Sequence, residues 1–390
     1  MALWFDAIEV GAPTPELDLH VNLWRDLSAD FNFLDVGFRL ADPTNLLRFH
    51  LFFPVPVGLA SISDLGATLR YGETLKAVFN DPVVAGSGNA TSYPTEIDGK
   101  PHLTVQMLDV GRDLATEPLA MTPVDGTIVT FGDGLCDRMR ATGGCSYVRI
   151  RIHLDGRARD LFSTEIAAGD WRLTTATSVT ETTEFRFNER RSYPDAVARR
   201  IGDSVFAIGR IHYFLIRDLE QQLTGQHSPL RNVRRLEPAL WTPYLQGEPI
   251  RTGTWRAPAK VISRLAIYHW STTFGSDDGP PSFTAFASFR SARVHLSIYA
   301  VAIVLLGAMG SVLAAVLSAR LGTASIPGSQ PLLPRDGRVN RTNLEQRGGL
   351  LPRRSDRRRR ASLQGGEHRR RSGAQHASLR SRKADHGRSR

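Results

Sequence analysis

Cysteine is scarce in this chain of 390 residues, which contains only Cys136 and Cys145. Two cysteines cannot form the disulfide framework that stabilises small secreted domains. A zinc site needs about four ligands, and neither a CxxC pair nor a closely spaced histidine pair accompanies these two residues. We therefore expect two reduced thiols and no metal site.

Short catalytic and cofactor motifs are also missing. The glycine pairs at 86–88 and 132–134 lack the spacing that places backbone donors around a nucleotide phosphate. The GxSxG and HExxH patterns of hydrolases do not occur. The sequence thus predicts no catalytic residue and no cofactor, although an enzyme with a dispersed site would escape such a search.

Positive charge is unevenly distributed. Residues 320–390 contain 19 Lys+Arg and 5 Asp+Glu, whereas residues 1–319 carry a net charge of −4. The tail has a single lysine, Lys383, and no aromatic residue follows Tyr299. Because such a composition cannot bury enough apolar surface to offset the entropy of ordering, we expect 320–390 to be disordered.

Three interpretations of this arginine-rich tail stay open. Arginine runs such as 357–360 and 369–371 can bind anionic lipid near a membrane. They can also bind nucleic acid through its phosphates. The third interpretation is that the tail is a non-native translation. A shifted reading frame of GC-rich DNA encodes mainly Arg, Gly, Ser, Pro and Ala, as found here.

Charged residues are absent over 296–319, LSIYAVAIVLLGAMGSVLAAVLSA. As a helix these residues would extend about 36 Å, against a hydrocarbon core of about 30 Å. We therefore predict a transmembrane helix, with the lipid bilayer as its partner. Small residues at four-residue spacing favour close helix packing and self-association. They are Gly307, Gly310, Ser311, Ala314 and Ala315.

The orientation of this helix is contradictory. The N-terminus has no basic region, apolar run or cleavage site, so no secretory signal is expected and the N-terminal domain should be cytoplasmic, at a bacterial-type inner membrane. The basic tail also favours the cytoplasm, and one crossing cannot satisfy both. Export by an unusual route, a re-entrant hairpin around 307–310 or a non-native tail would each resolve the conflict.

Residues 1–290 are rich in strand patterns. The segment 147–154, YVRIRIHL, alternates apolar and polar side chains, which is typical of a strand with one face in water. Related patterns predict strands at 33–40, 48–57, 102–109, 126–131, 178–188, 204–216, 261–270 and 282–289. Short helices are expected at 63–70, 73–80, 194–201 and 218–223. This mixture favours a mainly β (α+β) domain, specifically one like an antiparallel β-sandwich with a few short helices.

Candidate ligand-binding side chains lie on two of the predicted strands. Cationic and imidazole groups bind anions through charge-assisted hydrogen bonds. The candidates are Arg149, Arg151, His153, Arg210 and His212. A structural alternative pairs His212 with Glu184, and His269 is expected to be an ordinary sheet histidine.

Three functional hypotheses follow. The preferred one is a membrane-anchored β-rich binding or sensing protein of unknown ligand, which passes the binding event to its helix. It rests on the short link between the last strand and the helix and on the missing catalytic spacing. The second is a membrane-bound hydrolase, which requires the five candidate side chains to converge in one pocket. The third is a membrane-tethered nucleic-acid or lipid binder that acts through the tail.

Overall fold

The computed structural model describes residues 1–26, 31–71, 73–120, 125–166, 178–246, 259–275, 281–292 and 296–322. Contacts divide the chain into two units, Met1–Val316 and Leu317–Arg390. The predicted mainly β character is confirmed, since strands outnumber helices among the described residues. The tail predicted at 320–390 lies outside the described residues after Gly322.

The described residues form eighteen strands. They are β1 (Ala2–Ala7), β2 (Glu16–Asp26), β3 (Phe31–Leu40), β4 (Leu46–Phe53), β5 (Ile62–Asp64), β6 (Val83–Ala85), β7 (Ser92–Ile97), β8 (Lys100–Gln106), β9 (Leu114–Leu119), β10 (Gly126–Phe131), β11 (Ser146–His153), β12 (Ser163–Ile166), β13 (Ser178–Phe187), β14 (Ala207–Asp218), β15 (Gln222–Gln226), β16 (Asn232–Arg235), β17 (Leu265–Thr273) and β18 (Phe283–Ala292).

Eight α-helices are present in the described part of the chain, and most are short. They are α1 (Gly66–Leu69), α2 (Thr74–Phe79), α3 (Val110–Asp113), α4 (Asp133–Thr142), α5 (Asp195–Ile201), α6 (Pro238–Gln246), α7 (Ala259–Ile262) and α8 (Leu296–Gly322).

The strands form three sheets. The large sheet has the order β16-β17-β14-β2-β3-β11-β8-β7-β6, with β5 paired to β11. Two small sheets have the orders β1-β4-β10-β9 and β12-β13-β18-β15. In the large sheet β2 runs parallel to β14, and β8 runs parallel to β11. The antiparallel sandwich is therefore not confirmed, because long crossovers make the large sheet mixed.

Alternation along the strands gives the large sheet two different faces. Leu17, Leu19, Val21 and Leu23 of β2 lie in a core shared with both small sheets. On the other side, Trp24 packs into a second core with apolar side chains of α1, α2, α6 and α7. We call the first side the core face and the second the helix face. The helix face carries the candidate site described below.

Local sequence sets the ends of the first two helices. The Asp64 carboxylate accepts hydrogen bonds from the backbone N–H groups of Gly66 (3.0 Å) and Ala67 (3.2 Å), which caps α1. Helix α2 ends at Phe79 and is capped by Asn80, whose φ of 57° is left-handed. These positions agree with the predicted helices at 63–70 and 73–80, although β5 occupies the beginning of the first range.

Every strand predicted from alternation corresponds to a strand of the structure, and β4 ends at Phe53, before Pro54. The helix predicted at 218–223 is wrong. Asp218 ends β14 and forms a turn, with its carboxylate accepting from the Glu220 N–H at 2.8 Å, and β15 follows. The water-facing side predicted for 147–154 is also wrong, because Arg149 and Arg151 are only 0% and 2% exposed.

A buried ion cluster joins the large sheet to the second small sheet. Glu181 of β13 accepts hydrogen bonds from Arg25 of β2 (2.9 Å) and from Arg217 of β14 (2.7 Å). Burial alone would raise the pKa of Glu181, but Arg217 and Arg25 outweigh it and lower this pKa. The carboxylate stays ionised and is a counterion shared by both guanidinium groups.

Helix α8 differs from the other helices in length and composition. Within its segment Ala300–Arg320, the most apolar 18-residue stretch has a mean hydropathy of 2.5 and is not buried at all. By length and composition it can cross a membrane. The Ser311 hydroxyl donates to the Gly307 carbonyl at 3.0 Å within the same helix.

Replacing the shared carboxylate tests the buried cluster. Glu181→Gln should lower the free energy of unfolding by about 3–5 kcal/mol, because two buried guanidinium groups lose their common counterion. Glu184→Gln on the same strand is the matched control, since the Glu184–Arg186 pair (2.7 Å) is solvent-exposed, and it should cost about 0–1 kcal/mol. Denaturant titration of the purified chain in detergent measures both. Equal losses of stability in the two variants would contradict the role of Glu181 as the shared counterion.

Candidate functional site

A cavity of about 650 Å³ lies on the helix face of the large sheet. Its floor comes from β2, β3, β14 and β17, and its walls include residues of α2, α6 and the segment 231–234. Four arginines and two aspartates line it, so its charged lining is net positive. The basic and imidazole side chains are Arg39, Arg210, Arg231, Arg234, His20, His102, His212 and His269.

Strand register brings three of these histidines together. His20 on β2 lies opposite His212 on the parallel strand β14, with ring centroids 5.2 Å apart. His269 comes from the next strand, β17, and its Nε2 lies 3.0 Å from His212 Nδ1. We call His212 and His269 the histidine pair. Phe214 stacks on His269, with ring centroids 4.3 Å apart, and supports the ring from one side.

The three histidines are neutral near pH 7. Burial, followed by the nearby charges of Arg210 and Arg231, lowers the pKa of His212 to about 4. Burial also lowers the pKa of His269 to about 4, with a smaller contribution from its neighbours His212 and Arg231. The pKa of His20 lies well below its ordinary value for the same primary reason, burial. The permanent positive charge of the cavity therefore belongs to its arginines.

Arg149 lies directly behind the cavity and is fully buried. Its guanidinium donates to Tyr244 Oη (2.8 Å), Tyr147 Oη (3.0 Å) and the Asn22 side-chain carbonyl (2.8 Å). All three acceptors are neutral, so none of these hydrogen bonds brings a counterion to Arg149.

One carboxylate serves two buried arginines. Asp35 forms a bidentate pair with Arg151, at 2.7 and 3.0 Å, and lies 4.0 Å from Arg149. Tyr244 also donates to Asp35, at 2.6 Å. In the part of the chain that the structure describes, no other carboxylate lies within 4.0 Å of Arg149. The charge of Arg149 is therefore only weakly paired, and it lies behind Asn22, which itself lines the cavity.

A directed chain of hydrogen bonds connects this buried charge to His20. Tyr147 Oη accepts from Arg149 and lies 3.3 Å from His20 Nδ1, to which the Tyr147 hydroxyl can donate its own hydrogen. Because Nδ1 then acts as the acceptor, neutral His20 carries its proton on Nε2. The network thus supplies the cavity with a fixed imidazole donor.

Gly37 makes this chain geometrically possible. It lies between His20 of β2 and Arg149 of β11 in the sheet register. A Cβ at position 37 would overlap Tyr147 Oη and would lie 3.0 Å from Arg149 Nη1. The side chains of Tyr147 and Arg149 therefore pass over Gly37, which has no side chain to obstruct them.

The five predicted ligand-binding residues share the helix face but not one pocket. Arg210 and His212 line the cavity. Arg149 contacts it through Asn22 and Tyr147, as described above. Arg151 is bound to Asp35 and packs over the Phe33 ring at 4.0 Å. His153 lies next to Phe33, with ring centroids 6.0 Å apart, and does not line the cavity.

The structure also bears on two predictions about His212 and His269. The predicted pair between His212 and Glu184 is wrong, because His212 bonds to His269 while Glu184 pairs with Arg186. His269 lies in a sheet strand, as expected, but it also lines the cavity.

Sequence reasoning missed the strand that carries His20. Residues 17–24, LDLHVNLW, alternate as cleanly as those of β11, so the signal for β2 was present in the sequence. Arg39, Arg231 and Arg234 had no comparable signal, since only tertiary packing brings them to the cavity. The described residues contain no group of three or more His, Cys, Asp or Glu side chains placed to hold a metal ion.

The two thiols are not part of this cavity. Cys136 is buried in α4 and Cys145 is half-buried, and both are free. Burial raises the pKa of Cys136 to about 12 and also raises that of Cys145. A thiol that stays protonated near neutral pH is a weak nucleophile, so neither cysteine offers chemistry here.

A methyl group at position 37 tests the buried chain. Gly37→Ala should lower the free energy of unfolding by about 1–3 kcal/mol, because Tyr147 and Arg149 must move out of a packed layer. Gly134→Ala in α4 is the control: its Cβ would meet nothing within 4 Å, and alanine should stabilise the helix by about 0.5–1 kcal/mol. Denaturant titration measures both values. If Gly37→Ala does not lower the free energy of unfolding, the packing argument is refuted.

No protein-family model matches the chain, and no curated protein is significantly similar to it. The functional conclusion therefore rests on the geometry of the cavity itself. That geometry is a net positive, histidine-lined pocket in a mainly β protein that also has one helix long and apolar enough to cross a membrane.

Proposed function

We propose that this protein is a membrane-anchored β-rich binding protein whose ligand is a small anion. The observation that carries the proposal is the charge of the cavity. Four arginines face two aspartates along its lining, and Arg149 adds a buried positive charge behind Asn22. A bound anion would reduce the electrostatic cost of these groups, which the folded protein otherwise bears.

The arginines at the rim support direct contact with the ligand. Arg210 and Arg231 form no ion pair with any described residue, and both are exposed. Arg39 is held by Asp18 at 3.0 Å, and Arg234 donates to Asn80 at 3.0 Å. The guanidinium groups of Arg210 and Arg231 are therefore available to bind an anion, and those of Arg39 and Arg234 add to the positive electrostatic potential around it.

The cavity also has walls suited to an organic part of the ligand. Phe79 and Phe214 are half-buried and line it together with Trp241. Aromatic surfaces next to a few polar groups are typical of small-molecule sites. This combination favours an anion attached to an apolar or planar group.

Helix α8 supports the membrane anchor. Its large side chains are exposed, for example Leu306 at 67% and Val304 at 68%. A row of apolar side chains of this length has few alternatives to lipid. The small residues Gly307, Gly310, Ser311, Ala314 and Ala315 favour self-association through the same helix.

The anchor also suggests a sensing role. Only three residues separate the end of β18 at Ala292 from the beginning of α8 at Leu296. Such a short link can transmit a change in the sheet to the helix. We place the protein at a bacterial-type inner membrane with its N-terminal domain in the cytoplasm. Anionic lipid or nucleic acid remains the proposed partner of the tail, if its reading frame is native.

The hydrolase hypothesis keeps one supporting feature. The histidine pair can accept a proton from water and return one to a leaving group. Of the five candidate ligand-binding side chains on which the hydrolase hypothesis depends, however, only Arg210 and His212 line the cavity, and Arg151 is paired with Asp35. Binding without turnover is therefore the better supported function, and release of p-nitrophenol from p-nitrophenyl phosphate would favour the hydrolase instead.

Anion binding can be measured directly. Isothermal titration of the full chain in lipid nanodiscs with inorganic phosphate should show saturable binding that weakens as ionic strength rises. Arg210→Ala should weaken this binding about tenfold to a hundredfold, because a charge-assisted hydrogen bond is lost.

The matched control is Arg199→Ala on α5. Arg199 is exposed and does not line the cavity, so its loss should leave phosphate binding unchanged. If both variants weaken binding equally, the effect reflects overall charge and the proposed site is wrong.

Charge within α8 tests the anchor. Leu305→Arg and Leu306→Arg together should move the protein from the carbonate-resistant membrane fraction to the soluble fraction, since each arginine costs about 2.5–3.5 kcal/mol at mid-helix. Leu305→Ile with Leu306→Ile is the matched control and should stay in the membrane. A membrane fraction unaffected by the two arginines would show that another segment holds the protein there.

A further inference from the structure

The histidine pair has a fixed number of hydrogens. Two neutral imidazoles carry two N–H groups, and one of these occupies the contact between His212 Nδ1 and His269 Nε2. The second N–H must be on one of the two outer nitrogens, His212 Nε2 or His269 Nδ1. Whichever way the inner hydrogen points, the outer nitrogens therefore present one donor and one acceptor.

Neither outer nitrogen has a partner among the residues that the structure describes. Both histidines line the cavity and are only half-buried, so a ligand in the cavity can contact them. The strands β14 and β17 hold the two backbones in register, and Phe214 stacks on both rings. The pair is thus a rigid element with one position that needs a hydrogen from the ligand.

The rest of the lining is dominated by donors. Arg210 and Arg231 can only donate, and His20 presents Nε2–H because Tyr147 occupies its Nδ1. The Asp18 carboxylate accepts from Arg39. A ligand for this cavity must therefore accept several hydrogen bonds and donate at least one.

We propose that the cavity selects phosphate and phosphate monoesters over sulfate, because the acceptor nitrogen of the histidine pair requires an oxyanion that carries a hydrogen. The inference rests on the anion-binding function proposed above and names its ligand class. A phosphate monoester has a second pKa of about 6, so about half of its molecules carry a P–OH hydrogen near pH 6 and about a tenth still do near pH 7. Sulfate and simple carboxylates carry none at that pH.

Sulfate has a second way to bind, in which the histidine pair takes up a proton. The groups around the pair oppose this protonation. An added proton on the pair would turn both outer nitrogens into donors. The groups facing the pair make this costly, since burial and the nearby arginines lower the pKa values of both histidines to about 4. The charged and titratable groups that face the histidine pair are Arg210 on β14, Asp18 and His20 on β2, and Arg231 and Arg234 of the segment 231–234.

Isothermal titration with inorganic phosphate and with sulfate, on the full chain in nanodiscs near pH 6, tests the proposal. Phosphate should bind about tenfold or more tightly than sulfate, because sulfate requires an added proton on the histidine pair, and the surroundings of the pair make that proton costly. His269→Phe keeps the stacking on Phe214 but removes the inner hydrogen bond, so the ratio of the two affinities should fall towards one. Arg199→Ala on α5 is the comparison variant: Arg199 is exposed and does not line the cavity, so its loss should leave both affinities and their ratio unchanged.

Proton counting on the unmodified protein provides a second readout, independent of whether the His269 variant folds. Titrations in two buffers of different ionisation enthalpy should show uptake of a proton with sulfate and almost none with phosphate. Equal affinities for the two anions, or full discrimination retained in His269→Phe, would overturn the selectivity while leaving the anion site intact. Failure of both anions to bind would overturn the anion site itself, and the selectivity with it.

Discussion

The unequal pairing of buried charge beneath α6 is the constraint on which the site depends. Two guanidinium groups, those of Arg149 and Arg151, are removed from water beside the Asp35 carboxylate, which both of them share. Placing ions in a protein interior is costly unless they are closely paired and hydrogen-bonded. Arg151 forms a close bidentate pair with Asp35, whereas Arg149 lies 4.0 Å from this carboxylate and donates to neutral groups. A weakly paired buried guanidinium group therefore lies next to a cavity whose charged lining is net positive.

The opposite face of the large sheet shows the contrasting solution. There Arg25 and Arg217 share Glu181, and Arg25 also reaches Asp160 at 3.0 Å. Two arginines and two carboxylates balance, and the cluster joins two sheets. The same residue types thus have a structural role on the core face, whereas on the helix face Arg149 lies 4.0 Å from its nearest carboxylate among the described residues. The distance to a carboxylate, rather than the presence of an arginine, separates the two cases.

The alternation of side chains predicted many strands correctly, because a strand with one apolar face has a period of two whatever covers its other face. The same alternation misled about 147–154. A polar residue at every second position indicates that the position is not part of the apolar core, but it does not distinguish water from a buried hydrogen-bonded network. Tyr244 arrives from a helix almost a hundred residues later in the chain. No local pattern around Arg149 could indicate it.

The sequence by itself determined the β-rich character of the N-terminal region, the apolar helix near 296–319 and two cavity residues, Arg210 and His212. Each follows from local composition or periodicity, which short-range physics controls. Only the tertiary structure decided that β2 runs parallel to β14, that His212 meets His269 and that Gly37 lets Tyr147 reach His20. These contacts join positions that are distant in the chain, and they depend on strand order and on the shape of one glycine position, which no run of neighbouring residues encodes.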